Sequence, residues 1–437
     1  MIQTVIKTYV LLICASFAFV HGHQIEISGK SYEPISVAIN DFYSETETRL
    51  AKSIVELVKT DLDNSGLLKT VPGDSFISTD IGIKAVPFFE AWRKINATIL
   101  VNGEIERARN NSINIKFKVW DIVLGKSVIT KVLEFKYDNW RRAAHKIANQ
   151  VYHTLTGEEG PFDSKIVYIS EYPSNNKIIK RLAIMDQDGA NHKYLSDGTY
   201  ITISPKISSN NEKIIYTDFR NGISKLFLRH LYTGEDTLVS TIPGNIFSPR
   251  FSHDGKKILF SVAHRGSTHI FVSHIDKKET RRLTHGAAIN TSPSYSPNDK
   301  RIIFNSDRSG SPQLYVMSDD GSNVQCITSN RSGGIYAEPS WSPRGDYVAC
   351  TKIVKGEGFL VNVINLKSGA EKTITRARMT NGHCWSQNGH FLIVAKESVI
   401  GSVLTKRMYK VDLYGCSSVY IPTPHGASDP NWVNVED

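Results

Sequence analysis

The sequence predicts two domains: a small N-terminal α/β unit, residues 34–157, and an all-β six-bladed propeller, residues 158–437, closed by a C-terminal strand. Three observations carry this. A short Ser-Pro motif ending on a large residue recurs along the second half of the chain. The stretch before it alternates short apolar strands with apolar residues at helical spacing. The two ends of the repeat region are complementary, each lacking what the other holds.

The elements follow in order. Residues 1–22 carry one charge, Lys7, and an apolar run from Tyr9 to Val20. That run is too short for a ~30 Å hydrocarbon core but suits the apolar region of an export signal, with cleavage before His23. Residues 23–33 are polar, fall outside any periodicity and read as a mobile segment. Ile35–Ile39 reads as a strand. Ser44 and Glu47 form a capping box ahead of Leu50, Ile54, Leu57, Val58 and Leu62, which repeat at helical spacing. Asn64-Ser65-Gly66 stops that helix. A strand over Leu67–Val71 and a short helix over Phe88–Ile95 follow. Strands at Thr98–Glu106, Ile113–Val119 and Val128–Phe135 come next, then a helix marked by Trp140, Ala144, Ile147, Val151 and Leu155. The order is β-α-β-α-β-β-β-α. No glycine-rich phosphate loop follows a strand, so no nucleotide or other cofactor is implied.

From residue 165 the chain repeats. Ser204-Pro205-Lys206-Ile207-Ser208 recurs as Ser248-Pro249-Arg250-Phe251-Ser252, Ser292-Pro293-Ser294-Tyr295-Ser296 and Glu338-Pro339-Ser340-Trp341-Ser342. Gly382-His383-Cys384-Trp385-Ser386 is a degenerate copy, and Asp429-Pro430-Asn431-Trp432 is the last. Their large residues, from Ile207 to Trp432, are spaced 44, 44, 46, 44 and 47 apart, a period that marks propeller blades. Turns such as His253-Asp254-Gly255 and Gln387-Asn388-Gly389 follow the anchors and supply the residues tight hairpins need. Lys165–Ser170 matches a second strand with no anchor before it; Pro430–Val435 is an anchor with no second strand after it. The simplest closure lets the tail supply the innermost strand of the first blade. This makes six blades and hides two sheet edges.

Composition bounds the function. Of 437 residues, 40% are hydrophobic, enough for packed cores. The net charge of +9 is spread along the chain rather than concentrated as in a nucleic-acid binder. Neither G-x-S-x-G nor H-E-x-x-H occurs. Ser174-Asn175-Asn176-Lys177 falls in a turn with no partner motif. Asp186-Gln187-Asp188-Gly189 and Asp319-Asp320-Gly321 faintly resemble calcium loops, but lack the closing Glu and flanking helices, and hairpin turns explain them better. No metal is assigned. Beyond the signal, Cys326, Cys350, Cys384 and Cys416 contain no C-x-x-C; buried free thiols are favoured, with two disulfides as the alternative. Asn96, Asn110 and Asn290 match the glycosylation pattern. The competing classes are a propeller-gated serine peptidase and a sugar- or metal-binding propeller. The first needs a hydrolase unit of ~250 residues, which residues 23–160 cannot supply.

The order of parts resembles the TolB family, the periplasmic component of the Tol-Pal system of Gram-negative bacteria. The likeness rests on the export signal, the α/β unit, the Gly160-Pro161-Phe162-Asp163-Ser164-Lys165-Ile166-Val167-Tyr168 junction and the Ser-Pro repeats. Phe89–Gly103 and Gly401-Ser402-Val403-Leu404 resemble further family stretches. The resemblance implies a non-enzymatic periplasmic platform, monomeric alone, touching membranes only through partners. It implies docking of a Pal-type lipoprotein at the propeller mouth and of a TolA-type inner-membrane protein on the N-terminal segment, in support of outer-membrane integrity and constriction at division. The segment would be His23, Gln24, Ile25, Glu26, Ile27 and Ser28. The mouth would be Thr202, Asn245, Thr291, Ser292, Ala337, Glu338, Asn381 and Ser428. Two departures from the family pattern are Asn245, where a His is common, and Cys384 in the degenerate anchor.

Overall fold

The computed structural model describes residues 33–76, 82–174, 177–277, 279–328, 334–400, 403–413 and 417–435. The expected export signal, the N-terminal segment His23–Ser28 and Cys416 lie outside the described residues.

The α/β unit has the predicted element order. Its strands are β1 (Ile35–Ile39), β2 (Leu68–Thr70), β3 (Ile99–Arg107), β4 (Ser112–Asp121) and β5 (Lys126–Lys136). They form one sheet in the order β2-β1-β3-β4-β5, parallel from β2 to β3 and antiparallel beyond. Alternation along the strands divides the interior. Val37, Ile39 and Val101 face a core shared with α1 (Thr48–Asp63) and α3 (Trp140–Thr156). Ala38 and Leu100 face a smaller core with Trp92 of the short helix α2 (Phe89–Lys94). The capping box forms by half. Ser44 Oγ accepts the Glu47 N–H at 3.0 Å, but the Glu47 carboxylate turns away to Arg107 and Tyr137. Gly157, at φ 74°, ends α3 in the left-handed region.

The rest of the chain is six four-stranded sheets around an axis. The C-terminal strand Gly426–Asn434 pairs antiparallel with Ser164–Ser174, with Trp432 opposite Ile166, and completes the first blade as its innermost strand. Trp432 Nε1 donates to the buried Ser164 Oγ at 2.7 Å. Each junction between neighbouring blades has its own apolar cluster; that between the sixth and first blades joins Phe391, Met408 and Cys384 to Ile166, Tyr168 and Trp432. Closure thus buries apolar surface at every seam, the dominant favourable term in folding.

Two expectations change. Cys326, Cys350 and Cys384 are free thiols, and Cys326 is exposed rather than buried. Asn290 is fully buried, so its glycan pattern has no acceptor surface. Asn388 Nδ2 donates to the Glu159 carbonyl at 2.8 Å and Arg344 Nη1 to Glu158 at 3.0 Å, so the turns after two anchors are seated on the segment leaving the α/β unit. The mouth lies at the opposite end of the inner strands.

Candidate functional site: the propeller mouth

The mouth is shaped by one backbone device used six times. Every inner strand breaks register with its neighbour at the same point, for example between Thr291 and Ser294 or Ser428 and Asn431. At that point Ser204, Ser248, Ser292, Glu338 and Asp429 have φ of 51–53°, and Gly382 has φ 95°. All but Gly382 precede a proline. A proline donates no ladder hydrogen bond, so the strand bulges there, and the left-handed residue before it carries local strain. The bulges turn Ser204, Ser248, Ser292, Glu338, Gly382 and Asp429 onto a cavity of about 50 Å³ on the axis, with Lys206, Arg250 and His383. A wider opening of about 190 Å³, flanked by Trp341, Trp385 and Trp432, lies at the end facing the α/β unit.

The channel is polar and densely charged. Burial pushes the Lys206 ammonium down to about 7, helped by the nearby Arg250. Burial likewise lowers Arg250. Glu338 is raised, first by desolvation and then by Asp429. Burial and Arg250 hold the His383 imidazole at about 4. The Cys384 thiol is pushed up to about 11 by burial, which makes it an inert thiol at neutral pH. Lys206 Nζ donates to the Pro430 carbonyl at 3.2 Å.

The residues expected at the mouth divide into two groups. Ser292 and Glu338 line the channel cavity. Thr291, Ala337 and Asn381 are half-buried beside it, and Asn381 Oδ1 has no hydrogen-bond partner. Asn245 is exposed at the rim and accepts from the Ser224 N–H at 3.3 Å. Thr202 and Ser428 are withdrawn: Thr202 is buried and donates to Asp218 at 2.6 Å, and Ser428 is buried and donates to Glu171 at 2.8 Å. The sequence reading missed a ring of apolar side chains. Ile201, Ile289, Ile335 and Met379 each stand three residues ahead of a bulge and are 49%, 46%, 40% and 40% exposed. Phe219 pairs with Ile201 across the strands and is also exposed. The signal was available, because four of the six residues three before the bulge are large and apolar.

The fold and this site define a class: propellers closed by their own C-terminal strand, seated on an α/β unit at one face and open at the other. The family model of the TolB β-propeller domain matches residues 152–436, and that of the TolB amino-terminal domain matches residues 23–128. The chain is 42% identical over 423 residues to the Tol-Pal system protein TolB of Rickettsia rickettsii (strain Iowa), covering 94% of this chain and 95% of that one. It is 41% identical to the same-named protein of Rickettsia massiliae (strain Mtu5), over 98% of each. The crystal structure of TolB from Acinetobacter baumannii shares the fold, with a TM-score of 0.83 at 23% identity over 92% of this chain and 97% of that one. The chain belongs to the TolB family and is a component of the Tol-Pal system. Among the described residues, no helix is long and apolar enough to cross a membrane.

Proposed function

We propose that this protein is a non-enzymatic docking platform of the periplasm. Residues 1–22 direct export and are removed. The propeller mouth receives a Pal-type peptidoglycan-associated lipoprotein, and the segment beginning at His23 engages a TolA-type inner-membrane protein. The assembly supports outer-membrane integrity and its invagination at division. The observation that carries the mouth assignment is the ring formed by Ile201, Ile289, Ile335 and Met379 around a polar channel. Exposed apolar side chains around a polar centre are the composition of a protein interface. The rigid strands beneath them lose little freedom on association, which favours affinity.

The test is calorimetric titration of the protein with the soluble OmpA-like domain of a Pal-type lipoprotein. Saturable binding is expected, weakened by a double Ile289→Asp, Ile335→Asp substitution. Wild-type and doubly substituted proteins binding alike would remove the mouth assignment. Sustained turnover of peptide substrates would remove the non-enzymatic reading.

A further inference from the structure

The seam between the two domains holds a side-chain cluster that docking at the mouth does not use. Asp186-Gln187-Asp188-Gly189 is a hairpin turn: the Asp186 N–H donates to the Ala190 carbonyl at 2.9 Å and the Gly189 N–H to the Asp186 carbonyl at 3.0 Å. This turn of the first blade meets α3 of the α/β unit. His145 of α3 is 3% exposed, and its ligand atom and one carboxylate oxygen each from Asp186 and Asp188 all lie within 4.8 Å of one another.

The two ring nitrogens of His145 are used differently. Nδ1 is 2.6 Å from Asp61 Oδ2, in the same domain. Asp61 is itself buried, and Gln187 Nε2 donates to its other oxygen at 3.0 Å. Nε2 has no hydrogen-bond partner and lies 3.7 Å from Asp188 Oδ2. An imidazole whose Nδ1–H is held by a carboxylate offers its Nε2 lone pair outward, and such a carboxylate fixes tautomer and ring orientation in metal-binding histidines. One imidazole nitrogen with carboxylate oxygens suits a borderline ion such as Zn²⁺, whereas Ca²⁺ gathers oxygens alone.

We propose that His145, Asp186 and Asp188 form a zinc-type divalent-metal site that ties the α/β unit to the first propeller blade, with water as the fourth ligand. The donors draw in by a small movement to reach bonds of ~2.0–2.2 Å. Both carboxylates already have partners. Arg141 donates to Asp188 Oδ2, the Ala190 N–H to Asp188 Oδ1 at 3.0 Å, Lys165 to Asp186 Oδ1 at 3.0 Å, and Asn191 to Asp186 Oδ2 at 2.6 Å, so each oxygen accepts one bond. A carboxylate has about four lone-pair sites, so these contacts leave acceptor capacity for an ion. The rival for Nε2 is a proton, whose imidazolium would face Asp188 directly.

The experiment titrates Zn²⁺ into the metal-free purified protein by calorimetry, alongside Asp186→Asn and Asp61→Asn variants, with Ca²⁺ as a parallel titrant. Asp186→Asn leaves the Asp61–His145 contact in place, and circular dichroism checks its fold. The expected result is one Zn²⁺ equivalent on the unaltered protein. Its affinity falls about 10–100-fold in Asp61→Asn, the loss usual for an outer-shell carboxylate. It is lost in Asp186→Asn, and Ca²⁺ gives no saturable heat. Zn²⁺ affinity unchanged by Asp186→Asn would place the ion on other histidines and overturn the site. Absence of saturable Zn²⁺ binding, showing that the proton holds Nε2, would overturn it as well. Equal binding of Ca²⁺ would overturn the zinc-type assignment.

Discussion

Around the mouth, Ile201, Ile289, Ile335 and Met379 stand in solvent; on the opposite face, Arg344 and Asn388 follow two of the same inner strands, Gln187 follows the third strand of the first blade, and each donates to the α/β unit or the segment leaving it. Both faces come from one repeat, so the repeat itself does not decide what a face does. The difference lies in partners. The domain-facing turns are polar, and Arg344, Asn388 and Gln187 find their acceptors within the chain. The mouth offers apolar area that nothing among the described residues covers. One face finds partners within the folded protein, and under the proposed function the other is completed by association.

The comparison presumes a rigid ring, and the largest expected effect tests that. Trp432→Ala removes a buried indole and its bond to Ser164 at the closing seam. It should cost about 3–5 kcal/mol in denaturant unfolding. A loss below ~1 kcal/mol would mean that closure matters little to either face.

The second effect separates the channel from both rims. His383 is held at about 4 against an ordinary value of 6.5, mainly by burial. The unfolded chain therefore takes up a proton that the folded chain refuses between those values. This stability is fully present above pH 6.5 and is lost as the pH falls toward 4, by on the order of 3 kcal/mol. A urea-unfolding series across that window should slope downward toward acid, and His383→Leu should flatten it.

A third effect isolates the mouth. Ile289→Asp with Ile335→Asp should weaken partner docking by about 2 kcal/mol or more, the range of interface hot spots, at an unchanged melting temperature. Coupled losses of melting temperature and affinity would show that the rim serves packing instead. The smallest effect belongs to the satisfied face. Glu158 meets Arg344 at 3.0 Å and His390 at 3.4 Å, but it is substantially exposed. Glu158→Gln should cost only about 0–1 kcal/mol and leave docking untouched.

Much of this was legible in the residues. The spacing of Ile207, Phe251, Tyr295, Trp341, Trp385 and Trp432 carried the blade count, and the unmatched Lys165–Ser170 and Pro430–Val435 carried the closure. The mouth was half legible. Repeat position places Thr291, Ala337, Asn381 and Ser428 alike, each one residue before its bulge, but it does not show which of them a neighbouring strand's acid has already engaged. Thr202 and Ser428, expected at the mouth, are buried, with their hydroxyls on Asp218 and Glu171 of their own blades. The seam cluster showed one trace. Asp61 sits between Val58 and Leu62 on the apolar face of α1, and His145 sits beside Ala144 on that of α3. A charged residue among buried neighbours signals a partner, but that partner was 84 residues away and invisible to periodicity.

The strand that finishes the first sheet is made after every other strand of the ring. Five blades can assemble as the chain emerges, but Ser164–Ser174 must wait beside an unfilled groove until residues 426–434 arrive. The toroid therefore cannot seal until residues 426–434 have emerged, and a nascent chain stalled before residue 426 holds two open sheet edges at once.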